Sequence, residues 1–339
     1  MVTRLSFLRV FTAILLSVLF LPGMAAEQND GVQPGNGPTI RVSVDMISLP
    51  VIVTTAKGQH IRNLHKDDFR VYEDNVEQEI AGFAATDEPL AIALLLDTSG
   101  STRNDLARIQ NAAIDFVNQL HPDDEVAVLS FADDVRLQSD FSIDRKKNER
   151  GIKMTRTGES TVLYEAVWLA LEQVLKPVTE RKALVLFTDG VDTRSRDASM
   201  KETLDLSKET EATIYCVYYN TEQRSATGLT IDPGSPSIIL SPFPRTTNRT
   251  RTGSTPEEAM RGRAYLKDLA DNSGGLVLDG NKNLGETFSE IAKELSSQYR
   301  IDYYPTNTEK DSKFRKVKIK MKNPDFRVRT RKGYYAKRR

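Results

Sequence analysis

Apolar runs alternate with amphipathic stretches between residues 89 and 297, and this alternation predicts strands that are each followed by a helix. The run LAIALLL (90–96) is typical of a strand buried on both faces of a sheet. Later runs of the same kind are EVAVLSFA, KALVLFTDG, ATIYCVYY and LVLDG, and the alternating VRLQSDF predicts a strand beside the first of these. This order specifies an α/β fold with a doubly wound, mostly parallel sheet and helices on both faces.

Helical spacing of apolar residues recurs in five stretches between these strands. The first contains Leu106, Ile109, Ala113, Phe116 and Leu120. The fourth ends in two glycines, which favour the end of a helix. The predicted helices are 106–120, 162–175, 201–211, 256–275 and 285–298.

Shorter strands are predicted on both sides of this region. The stretches FRVYEDN and EQEIAGF indicate a hairpin around Asp74 and Asn75. Near the C-terminus, FRKVKIKMK (314–322) and FRVRTRKGYY (326–335) predict a second hairpin with one apolar and one cationic face, turned by NPD. We expect Arg315 to be an irregularity in the first strand. The apolar face is then Phe314, Val317, Ile319 and Met321, and the cationic face Lys316, Lys318, Lys320 and Lys322, with Arg327, Arg329 and Arg331 outward from the second strand.

Neither set of flanking strands has enough partners to be stable alone. We therefore expect them to pair into one small β-sandwich, with the α/β domain inserted between the two halves. The N-terminus has the basic start, apolar core and small-residue cleavage region of a signal peptide, and this core is shorter than the ~20 residues of a membrane span. The predicted parts are a signal peptide (1–26), a linker (27–38), an N-terminal β segment (39–88), the α/β domain (89–297) and a C-terminal β hairpin with a basic tail (298–339).

These features predict an exported protein, periplasmic, secreted or on the cell surface, with no membrane span after cleavage of the signal. The net charge is zero, from 47 basic and 47 acidic residues, but residues 313–339 contain 13 of the basic residues and a single acid, Asp325. Cys216 is the only cysteine and lies in an apolar run, so it predicts a packed thiol and excludes an internal disulfide. The three histidines are far apart in the sequence, which argues against a zinc site or a histidine-based triad.

Oxygen-bearing side chains follow the first buried strand. Asp97, Ser99 and Ser101 stand two residues apart where LAIALLL ends. Thr161 precedes a predicted helix, and Asp189 ends another buried strand. Because ligands of open parallel sheets bind at the carboxyl ends of the strands, we expect these side chains to converge. A set of hard oxygen donors favours Mg²⁺, Mn²⁺ or Ca²⁺.

The motifs DTSGS (97–101), TVLYEA (161–166) and FTDG (187–190) resemble, in this order, the metal-ion-dependent adhesion site (MIDAS) of von Willebrand factor type A domains. The resemblance extends over about 89–297, and the flanking segments are similar to a bacterial exported group of von Willebrand A-related proteins. It implies a divalent cation, with Mg²⁺ preferred over Mn²⁺ or Ca²⁺. Ser99, Ser101 and Thr161 would be neutral hydroxyl ligands, and Asp97 and Asp189 would act directly or through water.

The same resemblance implies a protein partner that offers an acidic side chain to the cation. One further segment, 220–256, is too long and too rich in Ser, Thr, Pro and Gly for an ordinary connection. It is either a tolerated surface loop or an insert that shapes partner access. Since it leaves the carboxyl end of the strand 212–219, we expect it to lie beside the site.

Two other classes of function compete with metal-dependent binding. An aspartic protease needs Gly directly after the hydroxyl residue, where this chain has Ser99, and a D-x-D phosphotransferase needs an acid at that position. A metal-assisted hydrolase is the remaining enzyme alternative, but no nucleophile with a nearby general base is apparent, so we expect no enzymatic activity. The cationic hairpin could instead bind an anionic surface or polysaccharide, or could be a solvated edge that prevents aggregation. No aromatic residue alternates with the basic positions along the strand, and export argues against nucleic acid.

Overall fold

The computed structural model of the chain describes residues 45–85, 88–219, 255–281 and 283–336. The predicted signal peptide and linker, and all but the last two residues of the predicted insert (220–256), lie outside the described residues. Within the described ranges, no helix is long and apolar enough to cross a membrane.

The described residues form fourteen strands and six α-helices. The strands are β1 (Ile47–Thr54), β2 (Phe69–Glu73), β3 (Val76–Gln78), β4 (Ile80–Ala84), β5 (Leu90–Asp97), β6 (Glu125–Phe131), β7 (Val135–Ser139), β8 (Arg181–Thr188), β9 (Thr213–Tyr218), β10 (Val277–Asp279), β11 (Tyr299–Tyr303), β12 (Phe314–Met321), β13 (Arg327–Arg329) and β14 (Gly333–Tyr335). The helices are α1 (Leu106–Gln119), α2 (Arg145–Met154), α3 (Leu163–Leu169), α4 (Met200–Glu209), α5 (Pro256–Ser273) and α6 (Leu284–Leu295).

The central sheet has the order β10-β9-β8-β5-β6-β7, which confirms the predicted doubly wound α/β fold. All neighbouring strands are parallel except β7, which runs antiparallel to β6. The middle strand, β5, is buried over its whole length. Its flanking strands, β8 and β6, run parallel to it on either side, so their carboxyl ends lie at one edge of the sheet.

Alternate residues of β5 pack on opposite faces of the sheet, as the period of a strand requires. Ile92 and Leu94 belong to the core under α1, α2 and α6, whereas Ala93 and Leu95 belong to the core under α3, α4 and α5. Burying one such leucine contributes about 2 kcal/mol. These two cores can therefore stabilise the fold without a disulfide. Cys216 is a free, buried thiol, as predicted, and burial raises its pKa.

Helix α2 is an element that the apolar pattern does not predict. Only Ile152 and Met154 are apolar among its ten residues, so the amphipathic signal is weak. The helix is instead stabilised at its start by an N-cap residue, Asp144. The Asp144 carboxylate accepts hydrogen bonds from the backbone N–H groups of Lys146 and Lys147, which would otherwise lack partners.

The flanking strands form two four-stranded sheets, with the orders β13-β1-β11-β4 and β14-β12-β2-β3. N-terminal and C-terminal strands pair in both, through β1 with β11 and β2 with β12. Their inner faces share one apolar core, which includes Val51, Val71, Ile301 and Ile319. This confirms the predicted small β-sandwich built from both ends of the chain.

The predicted hairpin at residues 74 and 75 is confirmed. Asp74 and Asn75 have φ of 46° and 70°, the left-handed values of a tight hairpin turn, and they connect β2 to β3. The second predicted strand, however, divides at Glu79. Its first part, β3, pairs with β2, and its second part, β4, pairs with β11 in the other sheet.

The predicted C-terminal hairpin is found only in part. β14 pairs with β12, but β13 lies between them in sequence and pairs with β1 in the other sheet. Two of the arginines expected to point outward do not: Arg329 is partly buried against Glu294, and Arg331 is buried and donates to the Thr210 carbonyl. Between β13 and β14 the chain passes from one sheet to the other, which residue alternation cannot indicate.

The structure confirms the predicted faces of β12 from Lys316 onward but differs from the prediction at its first two residues. Burial alternates along its whole length, so Arg315 is not an irregularity and lies on the inner face with Val317 and Ile319. Its guanidinium is held by the Asp311 carboxylate at 3.0 Å and the Glu309 carbonyl at 3.2 Å. Phe314 consequently lies on the outer face with the lysines, where 37% of its side chain is exposed.

Candidate metal centre

Four of the five predicted site residues lie where two neighbouring parallel strands end. Asp97 is the last residue of β5, and Asp189 comes directly after β8. The two strands are paired in register up to Leu96 and Phe187, so they end side by side. This placement brings the two acids to the same edge of the sheet.

The Asp97 side chain is completely buried. One carboxylate oxygen accepts the backbone N–H of Ser99 at 2.9 Å, and the other accepts the Thr188 hydroxyl at 2.7 Å. Burial raises the pKa of Asp97, and these hydrogen bonds oppose that rise. A buried carboxylate is costly unless a positive charge lies near it, which a bound cation would provide.

Two serines connect Asp97 to Asp189. The Oγ atoms of Ser99 and Ser101 lie 3.2 Å apart, and Ser101 Oγ lies 3.4 Å from Asp189 Oδ2. The other Asp189 oxygen accepts the backbone N–H of Val191 at 3.0 Å, which fixes the side chain. Four of the five predicted residues therefore lie in one continuous cluster.

Thr161 lies in the adjoining loop. Its backbone N–H donates to the Thr193 hydroxyl at 2.8 Å, and its carbonyl accepts from the N–H groups of Thr193 and Arg194. The same loop contacts the DTSGS turn, because the Gly158 N–H donates to the Thr98 carbonyl at 2.9 Å. Among the described contacts, no hydrogen bond joins the Thr161 hydroxyl to the other four predicted residues.

Two supporting residues escape the sequence prediction. Thr188 orients Asp97, as described above, and also accepts the Gly190 N–H at 3.0 Å. Asp133, just beyond β6, accepts the N–H groups of Glu159 and Ser160 and so shapes the loop that carries Thr161. A hydrogen bond from the Ser160 hydroxyl is the main cause that lowers the pKa of Asp133. Like Asp97, Asp133 stands at the end of an apolar run, and this position in the sequence could have indicated that it lies near the site.

The donor set fits a hard divalent cation. Neighbouring ligands of octahedral Mg²⁺ with bonds of about 2.1 Å lie about 3 Å apart. The 3.2 Å separation of the Ser99 and Ser101 oxygens is close to this value. The described residues contain no cluster of three His, Cys, Asp or Glu side chains that could hold a metal. A cation at this place would therefore depend on hydroxyl oxygens as well as carboxylates.

Helix α5 packs directly against the turn that carries Asp189. Gly190 has φ of +81°, a left-handed value that favours glycine, and its backbone lies against Gly262 of α5. A Cβ atom built on Gly262 would stand 2.7 Å from the Gly190 carbonyl oxygen and 3.0 Å from that of Asp189. Because neither residue has a side chain, α5 can pack closely against the Asp189–Gly190 backbone, and this contact helps to position Asp189 at the sheet edge.

We expect Gly262→Ala to lower the free energy of unfolding by about 1 kcal/mol and to weaken Mg²⁺ binding, because the methyl group would displace the Asp189–Gly190 backbone. Gly285→Ala is the matched control. It is also a glycine of a helix, but its nearest neighbour would be Asn283 Oδ1 at 3.5 Å, so we expect it to stabilise the protein slightly. Urea unfolding and calorimetric Mg²⁺ titration measure both effects. Equal stability and Mg²⁺ affinity in the two variants would contradict this account.

A family-model comparison matches the part of the chain that contains this site. Residues 92–191 match the family model described as the von Willebrand factor type A domain. That range begins within β5 and ends just beyond Asp189, so it contains all five predicted site residues. No curated protein sequence matches the chain.

Several solved structures are similar to the chain at low sequence identity. A von Willebrand factor type A protein from Catenulispora acidiphila is 14% identical, with a TM-score of 0.45 over 75% of this chain and 50% of that chain. The conserved hypothetical protein BatB from Bacteroides thetaiotaomicron is 18% identical, with a TM-score of 0.43 over 61% of this chain and 97% of that chain. Proximal thread matrix protein 1 from the mussel byssus, described with a zinc-occupied MIDAS motif, is 15% identical, with a TM-score of 0.46 over 66% and 49% of the two chains.

Proposed function

We propose that the von Willebrand factor type A domain that this chain carries is a metal-dependent protein-binding module. The observation that supports this most strongly is the continuous cluster of Asp97, Ser99, Ser101 and Asp189 at the ends of β5 and β8. The family match over 92–191 contains the same residues.

The ligand assignment follows from the chemistry of these groups. Ser99, Ser101 and Thr161 would bind the cation through neutral hydroxyls, and Asp97 and Asp189 directly or through water. Mg²⁺ is the preferred ion, with Mn²⁺ or Ca²⁺ as alternatives. A cation bound mainly by neutral oxygens retains charge with which to attract a carboxylate oxygen of a partner.

The surrounding residues prepare the site for that partner. The Thr188 hydroxyl and the Ser99 N–H each donate a hydrogen bond to a different oxygen of Asp97, and together they hold the carboxylate in one orientation. Asp133 and Thr193 fix the loop of Thr161. Because these contacts exist in the protein alone, the site is preorganised, and little ordering free energy is lost when a protein ligand binds.

We also propose that the protein is exported and that residues 89–297 are the interacting domain, framed by 39–88 and 298–339. Enzymatic activity is not part of this proposal. The histidines make their described contacts elsewhere: His60 lies against Glu294, and the backbone N–H of His65 donates to Asp68. The backbone N–H of His121 donates to Asp124, which also accepts the N–H of Leu90 at the start of β5. Histidine therefore does not supply a general base at the cluster.

Recovery of partners from native extract tests the proposal. The full protein in Mg²⁺, the same protein in EDTA, and Ser101→Ala in Mg²⁺ are compared. We expect partners to be lost in EDTA and with Ser101→Ala, to return when Mg²⁺ replaces EDTA, and to be displaced by short glutamate-containing peptides. Identical partner sets in all arms would show that metal-dependent binding is wrong. Loss in EDTA alone would place the metal at another site.

A further inference from the structure

The outer face of β12 carries a straight row of exposed lysines. Lys316, Lys318 and Lys320 alternate with buried residues along the strand, and Lys322 continues the row just beyond it. Residues two apart in a strand are separated by about 6.7 Å, so the row is about 20 Å long. It forms a linear array of positive charge on one face of the sheet.

Neighbouring strands place aromatic rings beside this row. Tyr72 of β2 lies opposite Lys318, and the Lys320 ammonium stands 4.6 Å from the centre of its ring. At the other end, Phe314 and Tyr335 of β14 make an edge-to-face contact at 5.2 Å. Phe314 at the start of β12 and the two neighbouring strands, through Tyr72 and Tyr335, thus supply aromatic rings at both ends of the row. This removes the main sequence-based objection to a binding role.

The acids near this face do not neutralise it. The Glu77 carboxylate accepts a hydrogen bond from the Arg70 guanidinium at 2.8 Å and another from the Tyr72 hydroxyl at 3.2 Å. Asp74 accepts the backbone N–H of Lys316 at 2.9 Å and lies 3.9 Å from Arg315. In the part of the chain that the structure describes, the side-chain ammonium groups of Lys316, Lys318 and Lys322 have no carboxylate partner. The row therefore keeps an uncompensated charge that complements a polyanion.

We propose that this lysine row, with its flanking rings, binds an anionic polysaccharide, such as a chain of uronic acid residues. A linear polyanion can contact every charge of a single row. A flat bilayer surface would be bound more favourably by charges spread across the whole sheet. The rings offer flat apolar area to the non-polar faces of sugar rings. This surface belongs to the β-sandwich and uses none of the residues of the metal centre, so the inference does not rest on the proposed function.

Binding to soluble polygalacturonate tests the inference, with neutral dextran as the polymer control. The full protein and Lys316→Glu/Lys318→Glu are measured by calorimetry over a series of salt concentrations. We expect the double variant to bind at least about tenfold more weakly at low salt and wild-type binding to weaken as salt is added. Lys57→Glu/Lys153→Glu is the charge-matched control, because both lysines are exposed on other surfaces, and we expect it to bind nearly as wild type. Tyr335→Leu should weaken binding without changing the salt dependence.

Circular dichroism spectra establish that each variant is folded. Polygalacturonate binding that the row variant loses and the control pair keeps would support the inference. Equal losses in the two double variants, or no binding by wild type, would overturn it. Tighter binding to vesicles containing phosphatidylserine, or to single-stranded DNA, would also overturn it, because the row would then recognise a different polyanion.

Discussion

Asp189→Ala is expected to weaken Mg²⁺ binding about a hundredfold while leaving the metal-free protein folded. Among the described residues, Asp189 is one of two carboxylates in the cluster, and its Oδ2 atom lies 3.4 Å from the Ser101 hydroxyl. Without it, the remaining donors are neutral hydroxyls and the buried Asp97. The cation would lose the negative charge that offsets its dehydration. Calorimetric titration with Mg²⁺ after removal of chelated metal measures the affinity.

Asp197→Ala provides the control for this measurement. Asp197 lies eight residues further along the chain, is exposed, and contributes the same charge to the domain. We expect its Mg²⁺ affinity to stay within about twofold of wild type, because an exposed charge at a distance is screened by solvent and salt. If the two variants lose affinity equally, general electrostatics rather than the cluster governs metal binding. If Asp189→Ala binds Mg²⁺ as wild type does, the ligand assignment is wrong.

The central sheet and the convergence of Asp97 and Asp189 at one edge could be predicted, because both depend on features that are local in the sequence. A strand buried on both faces must be a continuous apolar run, and β5 and β8 are such runs. Parallel strands place their carboxyl ends together, so the acid after each run marks the site edge. Sequence spacing could not show whether Thr161 touches the other residues, because its loop is placed by Asp133 and Thr193.

The β-sandwich was less predictable, since its details depend on long-range contacts. Arg315 is tolerated on an inner face because Asp311 and the Glu309 carbonyl happen to face it. Alternation predicted the buried face of β12 from Lys316 onward, but it could not show that Arg315 lies on that face, because this depends on the partners of Arg315. Likewise, β13 pairs with β1, more than 270 residues earlier in the chain, and no local pattern encodes that choice.

A buried carboxylate joins the sandwich to the α/β domain. Glu294, near the end of α6, is 5% exposed and pairs with Arg329 of β13. His60 Nε2, from the segment after β1, lies 3.5 Å from the other oxygen of the same carboxylate. Burial and the charge of Glu294 raise the pKa of the Tyr215 hydroxyl of β9. One side chain therefore contacts both sheet systems, and its charge balances an arginine that is only partly accessible to solvent.

Glu294→Gln is accordingly expected to lower the free energy of unfolding by about 2 kcal/mol. Breaking a fully buried ion pair costs about 3–5 kcal/mol, and the Arg329 side chain, which is 27% exposed, recovers part of that cost from water. Glu290→Gln, one turn earlier in α6 and exposed to solvent, should change stability by no more than about 0.5 kcal/mol. Urea unfolding followed by circular dichroism and by the fluorescence of Trp168, the single tryptophan, measures both variants. Coincident unfolding curves for the two variants would mean that Glu294 does not stabilise the contact between the sandwich and the α/β domain.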